Sequence, residues 1–217
     1  MLIAGVDDAG RGPVLGPLVL AGVLFIDTDI PKLQKLGVKD SKSLTPKRRE
    51  ILCREIKKLA IRWKTVKLGP LEIDKVVLKG IKLHRLNWLE AKAMAEVINS
   101  LHPEIAYIDA SDVNEARFAQ QIRENIHFEL KMVSEHYADA NYVIVGAASI
   151  IAKVHRDKEI TRLKEVYGDL GSGYPSDPKT RHFLLESISK GEIPPCIRKS
   201  WKTVKVLTEA IRQKTLQ

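Results

Sequence analysis

The sequence predicts an α/β protein: a mixed five-stranded sheet flanked by helices, followed by a C-terminal helical extension. Three observations predict it. Two β-rich apolar runs stand at the N-terminus with a Gly/Pro turn between them, and the second half alternates strand-like with helical runs. From Lys179 onward the chain is basic and spaced as helix.

In chain order, "LIAGVD" is a short apolar run ending on a carboxylate, and "GPLVLAGVLFI" (Gly16 to Ile26) is a longer one. Gly10, Gly12 and Pro13 between them mark a turn, so the two runs are expected to pair antiparallel. Thr45-Pro46 supplies an N-cap and a proline at the first helical position, opening a helix through "KRREILCREIKKLA". "IRWKTVKL" alternates as a third strand, and "LNWLEAKAMAEVINSL" has helical spacing. "EIAYID" reads as a buried strand followed by the helix "VNEARFAQQIREN"; "HFELKMVSEH" reads as the next strand. "ADANYVIVGAASIIAKVHRDKEITRLKEVYG" holds a long helix, with Gly146-Ala147-Ala148-Ser149 small enough to pack it tightly on a sheet. The loop "GDLGSGYPSDPKT" then leads to one or two further helices, Asp177-Pro178 marking the start of the first. Three leading strands followed by βαβα make the sheet mixed and five-stranded.

A chain of 217 residues, 44% hydrophobic and 29% charged, has ample material for a core. It has no apolar run long enough for a membrane span, and "MLIAGV" is too short and lacks the basic start of a signal peptide. Cys53 and Cys196 cannot build a disulfide framework and have no metal-site spacing. A reduced, cytoplasmic, monomeric protein is expected. The net charge of +9 is unevenly placed: Pro31 to Lys64 carries 12 Lys/Arg against 3 Asp/Glu, and Lys179 to Gln217 carries 9 against 3. The remainder is acidic and contains Asp7, Asp8, Asp109, Asp112 and Asp139. Basic segments around an acidic middle suit a polyanion held against a carboxylate site; solvated charged faces are the other reading of the same counts.

Strands of such a sheet deliver side chains to a common edge, where ligands bind. Asp7 and Asp8 end the first strand, Asp109 ends "EIAYID", and Asp139 follows "FELKMVSEH". Converging carboxylates need cations, and their hard oxygens suit Mg²⁺ or Mn²⁺. A pair of such ions can activate water and steady the leaving oxygen in phosphodiester cleavage. Asp112 has a purely structural reading, as an N-cap with Glu115 completing a capping box, so Asp109 is the preferred ligand. Asp139 could likewise cap the long helix. The Asp7-Asp8 pair is harder to explain without metal, because adjacent strand residues face opposite ways beside buried apolar runs. Gly10 and Gly12 clear the space around Arg11, so backbone amides can approach a ligand closely, a sugar edge with a 2′-OH being a plausible one.

"GVDDAGRGPVLGPLV" resembles the N-terminal motif of the type 2 ribonucleases H, the ribonuclease HII family. The likeness continues in "GVKDSKSLTPKRRE", "YIDASDVNEARF", "SEHYADANYVIVGAASIIAKVHRD" and "YGDLGSGYPSDPKT", so it covers nearly the whole chain in order; the compact archaeal members are the most similar. The resemblance implies a ribonuclease H-like catalytic domain over residues 1–170, with 171–217 a basic loop and helical extension packed on it. It implies endonucleolytic cleavage of RNA in RNA–DNA hybrids and 5′ to single ribonucleotides in duplex DNA, leaving 5′-phosphate and 3′-hydroxyl ends. It also implies that Asp7, Asp8, Asp109 and Asp139 are the catalytic, metal-binding carboxylates, and that Gly10, Arg11 and Gly12 sense the ribose. By the same likeness Tyr174 stacks on the following deoxyribose, and Ser41 and Lys42, in Asp40-Ser41-Lys42, lie along the DNA backbone. Taken alone, Tyr174 would pass for a packed loop residue and Lys42 for a surface lysine. Arg198-Lys199-Ser200-Trp201 reads both as a nucleic-acid contact and as a core anchor at Trp201.

Two features depart from the family pattern. Asp8 stands where the family usually has glutamate, one methylene and about 1.5 Å shorter in reach. Metal is then expected to depend on Asp7 and Asp109, with Asp8 engaged weakly or through water. The C-terminal "RQKTLQ" begins like a sliding-clamp-binding peptide and stops before its paired aromatics, so clamp binding is expected only of a longer chain.

Overall fold

Alternation and turn chemistry at the N-terminus produce an antiparallel pair, β1 (Leu2–Ala9) and β2 (Leu18–Ile26), in register from Leu2 opposite Ile26 to Ala9 opposite Val19. The computed structural model describes residues 1–38, 44–78 and 84–215. A 3₁₀ turn at Asp27–Asp29 leads into α1 (Ile30–Lys35), and α2 (Pro46–Leu59) starts as its sequence dictates. Thr45 accepts from the Arg48 amide at 3.3 Å and Pro46 opens the helix. Then come β3 (Arg62–Leu68), α3 (Pro70–Leu78), α4 (His84–Leu101), β4 (Ile105–Asp109), α5 (Glu115–Arg123) and β5 (Lys131–Glu135). The short α6 (Ala138–Asn141), the long α7 (Val143–Tyr167), α8 (Pro178–Ser189) and α9 (Lys202–Thr215) complete the described chain. The sheet is five-stranded and mixed, in the order β3-β2-β1-β4-β5, with β1, β4 and β5 parallel.

The chain divides into two compact units. The first, Met1–Ala9, Val19–Lys67 and Leu86–His155, contains the sheet. Gly5 puts its bare Cα against α7, where an added Cβ would lie 2.3 Å from the Ile144 carbonyl oxygen, so only glycine lets helix and strand come this close. On the opposite face Gly22 admits Val97 and Leu101 of α4. Between α7, α2 and the sheet lies a core including Val23, Phe25, Leu52, Ile56, Ala147, Ala148 and Ile151. Each fully buried large side chain there contributes about 2 kcal/mol of transfer free energy.

The second unit, Gly10–Leu18, Leu68–Arg85 and Arg156–Gln217, has its own core of Val14, Leu15, Ile160, Leu170, Leu184, Ile188, Ile197 and Val204, with Trp201 packed on it. The segment at Val14–Gly16 is its spine. Val14 N–H donates to Gly173 O at 2.8 Å, Gly16 N–H to Cys196 O at 2.9 Å, and Val14 O accepts from Arg198 N–H at 2.9 Å. Among the described residues no helix is long and apolar enough to cross a membrane.

Candidate active site

Parallel pairing of β1 with β4 aligns Val6 with Ile108, so Asp7 and Asp109 stand side by side one step beyond the last pair. Asp7 is buried, only 4% exposed, while Asp8 on the opposite face of the strand is half-buried. The Asp8 amide donates to Asp7 Oδ1 at 2.6 Å. Ser149, carried by α7 onto the same side of the sheet as Gly5, is hydrogen-bonded to Asp7. Burial, then the charges of Asp8 and Asp109, hold the Asp7 carboxyl well above the ordinary carboxylate range; the two hydrogen bonds pull the other way and lose.

Asp109 Oδ1 accepts from the Ala138 amide at 2.8 Å, which ties the start of α6 to the end of β4. The turn leading there is also pinned. His136 donates its amide to Glu115 Oε1 at 2.6 Å, its Nδ1 lies 3.1 Å from Ala110 O, and Tyr137 adopts a left-handed φ of 59°. Asp139, half-buried, follows Ala138 directly and lies inside α6, so it does not cap the long helix, which begins at Val143. The structure thus brings Asp7, Asp8 and Asp109 within electrostatic reach and sets Asp139 one residue from the amide holding Asp109. Among the described residues no three His, Cys, Asp or Glu side chains close around one point as a metal's ligands would. The donor set nevertheless fits a hard divalent cation: carboxylate oxygens only, with an excess of negative charge that one buried member already registers.

Asp112 corrects the capping expectation. Asn114 caps α5, accepting from the Arg117 amide at 2.9 Å, and Glu115 is engaged by His136, so no capping box forms. Asp112, 1% exposed, accepts instead from Asn87 Nδ2 at 2.7 Å, from the Asn114 amide at 2.9 Å, and from Arg117 through Nε at 3.0 Å and through Nη2. Burial pushes its carboxyl up, but Arg117, Asn114 and Asn87 together outweigh this and bring it down to about 2. It braces α4 against α5 and is no part of the carboxylate site.

In the second unit the Gly10-Arg11-Gly12 loop rests on an arginine framework. Gly10 has φ 100°, and a Cβ there would meet Pro17 O at 2.8 Å and Arg156 Cγ at 3.2 Å. Arg11 is half-buried and Gly12 exposed. Tyr174, 38% exposed, has the Arg156 guanidinium 5.1 Å from its ring centre. Arg156 is itself buried, donates through Nη2 to Ser172 O at 2.6 Å, and so supports the whole Ser172–Tyr174 turn. Asp177 caps α8, as its sequence context predicts, and also accepts from the Ser172 amide at 2.7 Å. Ser41 and Lys42 lie outside the described residues.

Sequence reasoning missed Arg156 and Asp74, and it did not find the structural role of Arg198. Arg198, for which a nucleic-acid contact was one reading, is fully buried and donates to backbone carbonyls; Trp201 is the core anchor, with the Arg198 guanidinium 4.8 Å from its ring. The available signal was a cation directly after the apolar run Pro194-Pro195-Cys196-Ile197.

The ribonuclease HII family model matches residues 4–204. Ribonuclease HII of Thermococcus onnurineus is 50% identical, over 97% of this chain and 92% of its own. The crystal structure of the ribonuclease H2 from Pyrococcus horikoshii superposes with a TM-score of 0.89 at 44% identity, covering 98% of this chain and all of that one. Ribonuclease HII of Archaeoglobus fulgidus, solved in a complex with PCNA, superposes with a TM-score of 0.84 at 47% identity, covering 93% of this chain and 96% of its own. The mixed sheet, the acidic cluster at the ends of its parallel strands and these full-length likenesses lead to one conclusion: the chain belongs to the ribonuclease HII family and is a ribonuclease H, a phosphodiester hydrolase.

Proposed function

We propose that this ribonuclease H is an endonuclease that hydrolyses the RNA strand of RNA–DNA hybrids and cuts 5′ to single ribonucleotides in duplex DNA, leaving 5′-phosphate and 3′-hydroxyl ends. The observation that carries the reading is the crowding of buried Asp7 by Asp8 and Asp109, a charge excess that Mg²⁺ or Mn²⁺ relieves. Asp7, Asp8, Asp109 and Asp139 would hold these ions, which when bound supply an activated water and neutralise the departing 3′ oxygen. The chain's own contribution is orientation: Ser149 and the Asp8 amide hold Asp7, and the Ala138 amide holds Asp109. Gly10, Arg11 and Gly12 read the ribose, and Tyr174 selects for deoxyribose beside it. Ser41 and Lys42, with the basic residues from Pro31 to Lys64 and Lys179 to Gln217, meet duplex phosphates. The Archaeoglobus relative solved with PCNA supports a sliding clamp as a further partner, engaged by the segment beginning at Gln213.

The test is a DNA duplex carrying one ribonucleotide, incubated with Mg²⁺ or Mn²⁺. Cleavage on the 5′ side of the ribonucleotide is the expected result. Cleavage of branched all-DNA junctions alone would make the protein a junction nuclease of the same fold, and binding without cleavage would make it a hybrid-binding module. In the same assay Asp8→Glu is expected to raise the rate several-fold, because the longer side chain restores about 1.5 Å of reach, and a site roughly 1 Å too loose loses activity. An equal or lower rate in the glutamate variant would mean that reach does not limit position 8.

A further inference from the structure

We infer that Arg198 sets the orientation of the Gly10-Arg11-Gly12 peptide planes, and through them how sharply the loop separates ribose from deoxyribose, while Asp74 fixes the segment that carries Arg198. The inference rests on the proposal that this loop reads the sugar.

Arg198 is fully buried, and one guanidinium holds three carbonyls. Nη2 donates to Gly10 O at 2.7 Å, Nη1 to Arg11 O at 3.1 Å, and Nε to Gly16 O at 3.0 Å. A planar fork fixes all three directions at once, which a lysine ammonium cannot do. The peptides are trans, so each carbonyl points opposite to the next residue's N–H. With the carbonyls of Gly10 and Arg11 turned onto Arg198, the amides of Arg11 and Gly12 are directed away from it. Gly12 is exposed and carries no side chain; the nearest atom to a Cβ built there is Tyr174 Cε1 at 3.8 Å. An amide donor at an exposed glycine is an arrangement that can meet a hydroxyl or phosphate oxygen.

The support is itself supported. Buried Asp74 on α3 accepts from Lys199 N–H at 2.8 Å, from Ser200 N–H at 2.9 Å and from the Ser200 hydroxyl at 2.5 Å, while Arg198 N–H is held by Val14 O. The backbone that carries the guanidinium is therefore tied down at Arg198 itself and at the two residues after it. Arg198 touches no substrate; it is a positioning residue.

The test compares wild type with Arg198→Lys by fluorescence anisotropy in EDTA, on a duplex with one ribonucleotide and on the same duplex in all-DNA form. Wild type is expected to prefer the ribonucleotide duplex. Arg198→Lys is expected to lose about tenfold of that preference, the weight of a misdirected hydrogen bond, while affinity for the all-DNA duplex stays within about twofold. A structural role alone would lower the melting temperature and leave the ratio intact, and an unchanged ratio overturns the inference. A wild type with no preference overturns the sugar-reading proposal itself, which the variant arm keeps distinct. Should Arg198→Lys fail to fold, Asp74→Asn carries the same comparison: a partial loss of preference supports the relay, and an unchanged ratio overturns it.

Discussion

Asp7→Asn is expected to lower cleavage roughly a thousandfold or more and, in the absence of divalent cations, to raise the melting temperature. Both effects come from one cause. Asp7 is buried beside Asp8 and Asp109, and its carboxyl is held well above the ordinary range. A raised carboxyl binds protons more tightly in the folded state, so above its unfolded pKa the ionised form costs stability, a cost relieved as pH falls. The amide has no charge to desolvate or repel, can still accept from the Asp8 amide, and can donate to Ser149. It cannot supply an anionic ligand. Cleavage assays and thermal melts in EDTA check the two halves separately. An active variant would dismiss the carboxylate site, and an inactive variant with a lowered melting temperature would contradict the electrostatic account of Asp7.

Asp112→Asn is expected to act in the opposite direction on stability and to leave the cleavage chemistry intact. The Asp112 carboxyl lies at about 2, below its ordinary value, because Arg117, Asn114 and Asn87 together outweigh its burial. A lowered carboxyl contributes stability that is fully present above the unfolded pKa and is lost as pH falls through the folded one. The group is buried although Arg117 is partly exposed, and the difference corresponds to about 2 kcal/mol. Urea unfolding should show the variant weaker by about that amount at neutral pH, the gap closing as pH falls from about 4 to about 2. A gap that persists in acid would mean that the lost contacts are not ionic.

These two aspartates show where sequence reading succeeds and where it stops. Asp7 was legible because its oddity is local: two adjacent acids at the end of an apolar strand, followed by a glycine-bracketed arginine. Thr45 and Asp177 were legible for the same reason, since an N-cap and the amide it satisfies lie within three residues. Asp112 was misassigned because Asn114, two residues on, takes the cap, and because Asp112's own partners are Arg117 and Asn87, the latter from another helix 25 residues earlier. From sequence spacing alone a capping box was the nearest available explanation. The α3 helix drew no signal, being nine residues long and close to a glycine-proline pair.

The succession of strands, most of the helical segments and the family itself were determined by the sequence, because period, turn chemistry and motif are properties of neighbouring residues. Tertiary structure alone decided that Asp7 would be buried against Asp109 and that Gly5 would let α7 deliver Ser149. It alone decided that Arg198 would reach back 188 residues to Gly10 O and take Gly16 O as well. The physical reason is that burial, charge crowding and the direction of a hydrogen bond depend on which distant segments fold together, and spacing along the chain does not specify that.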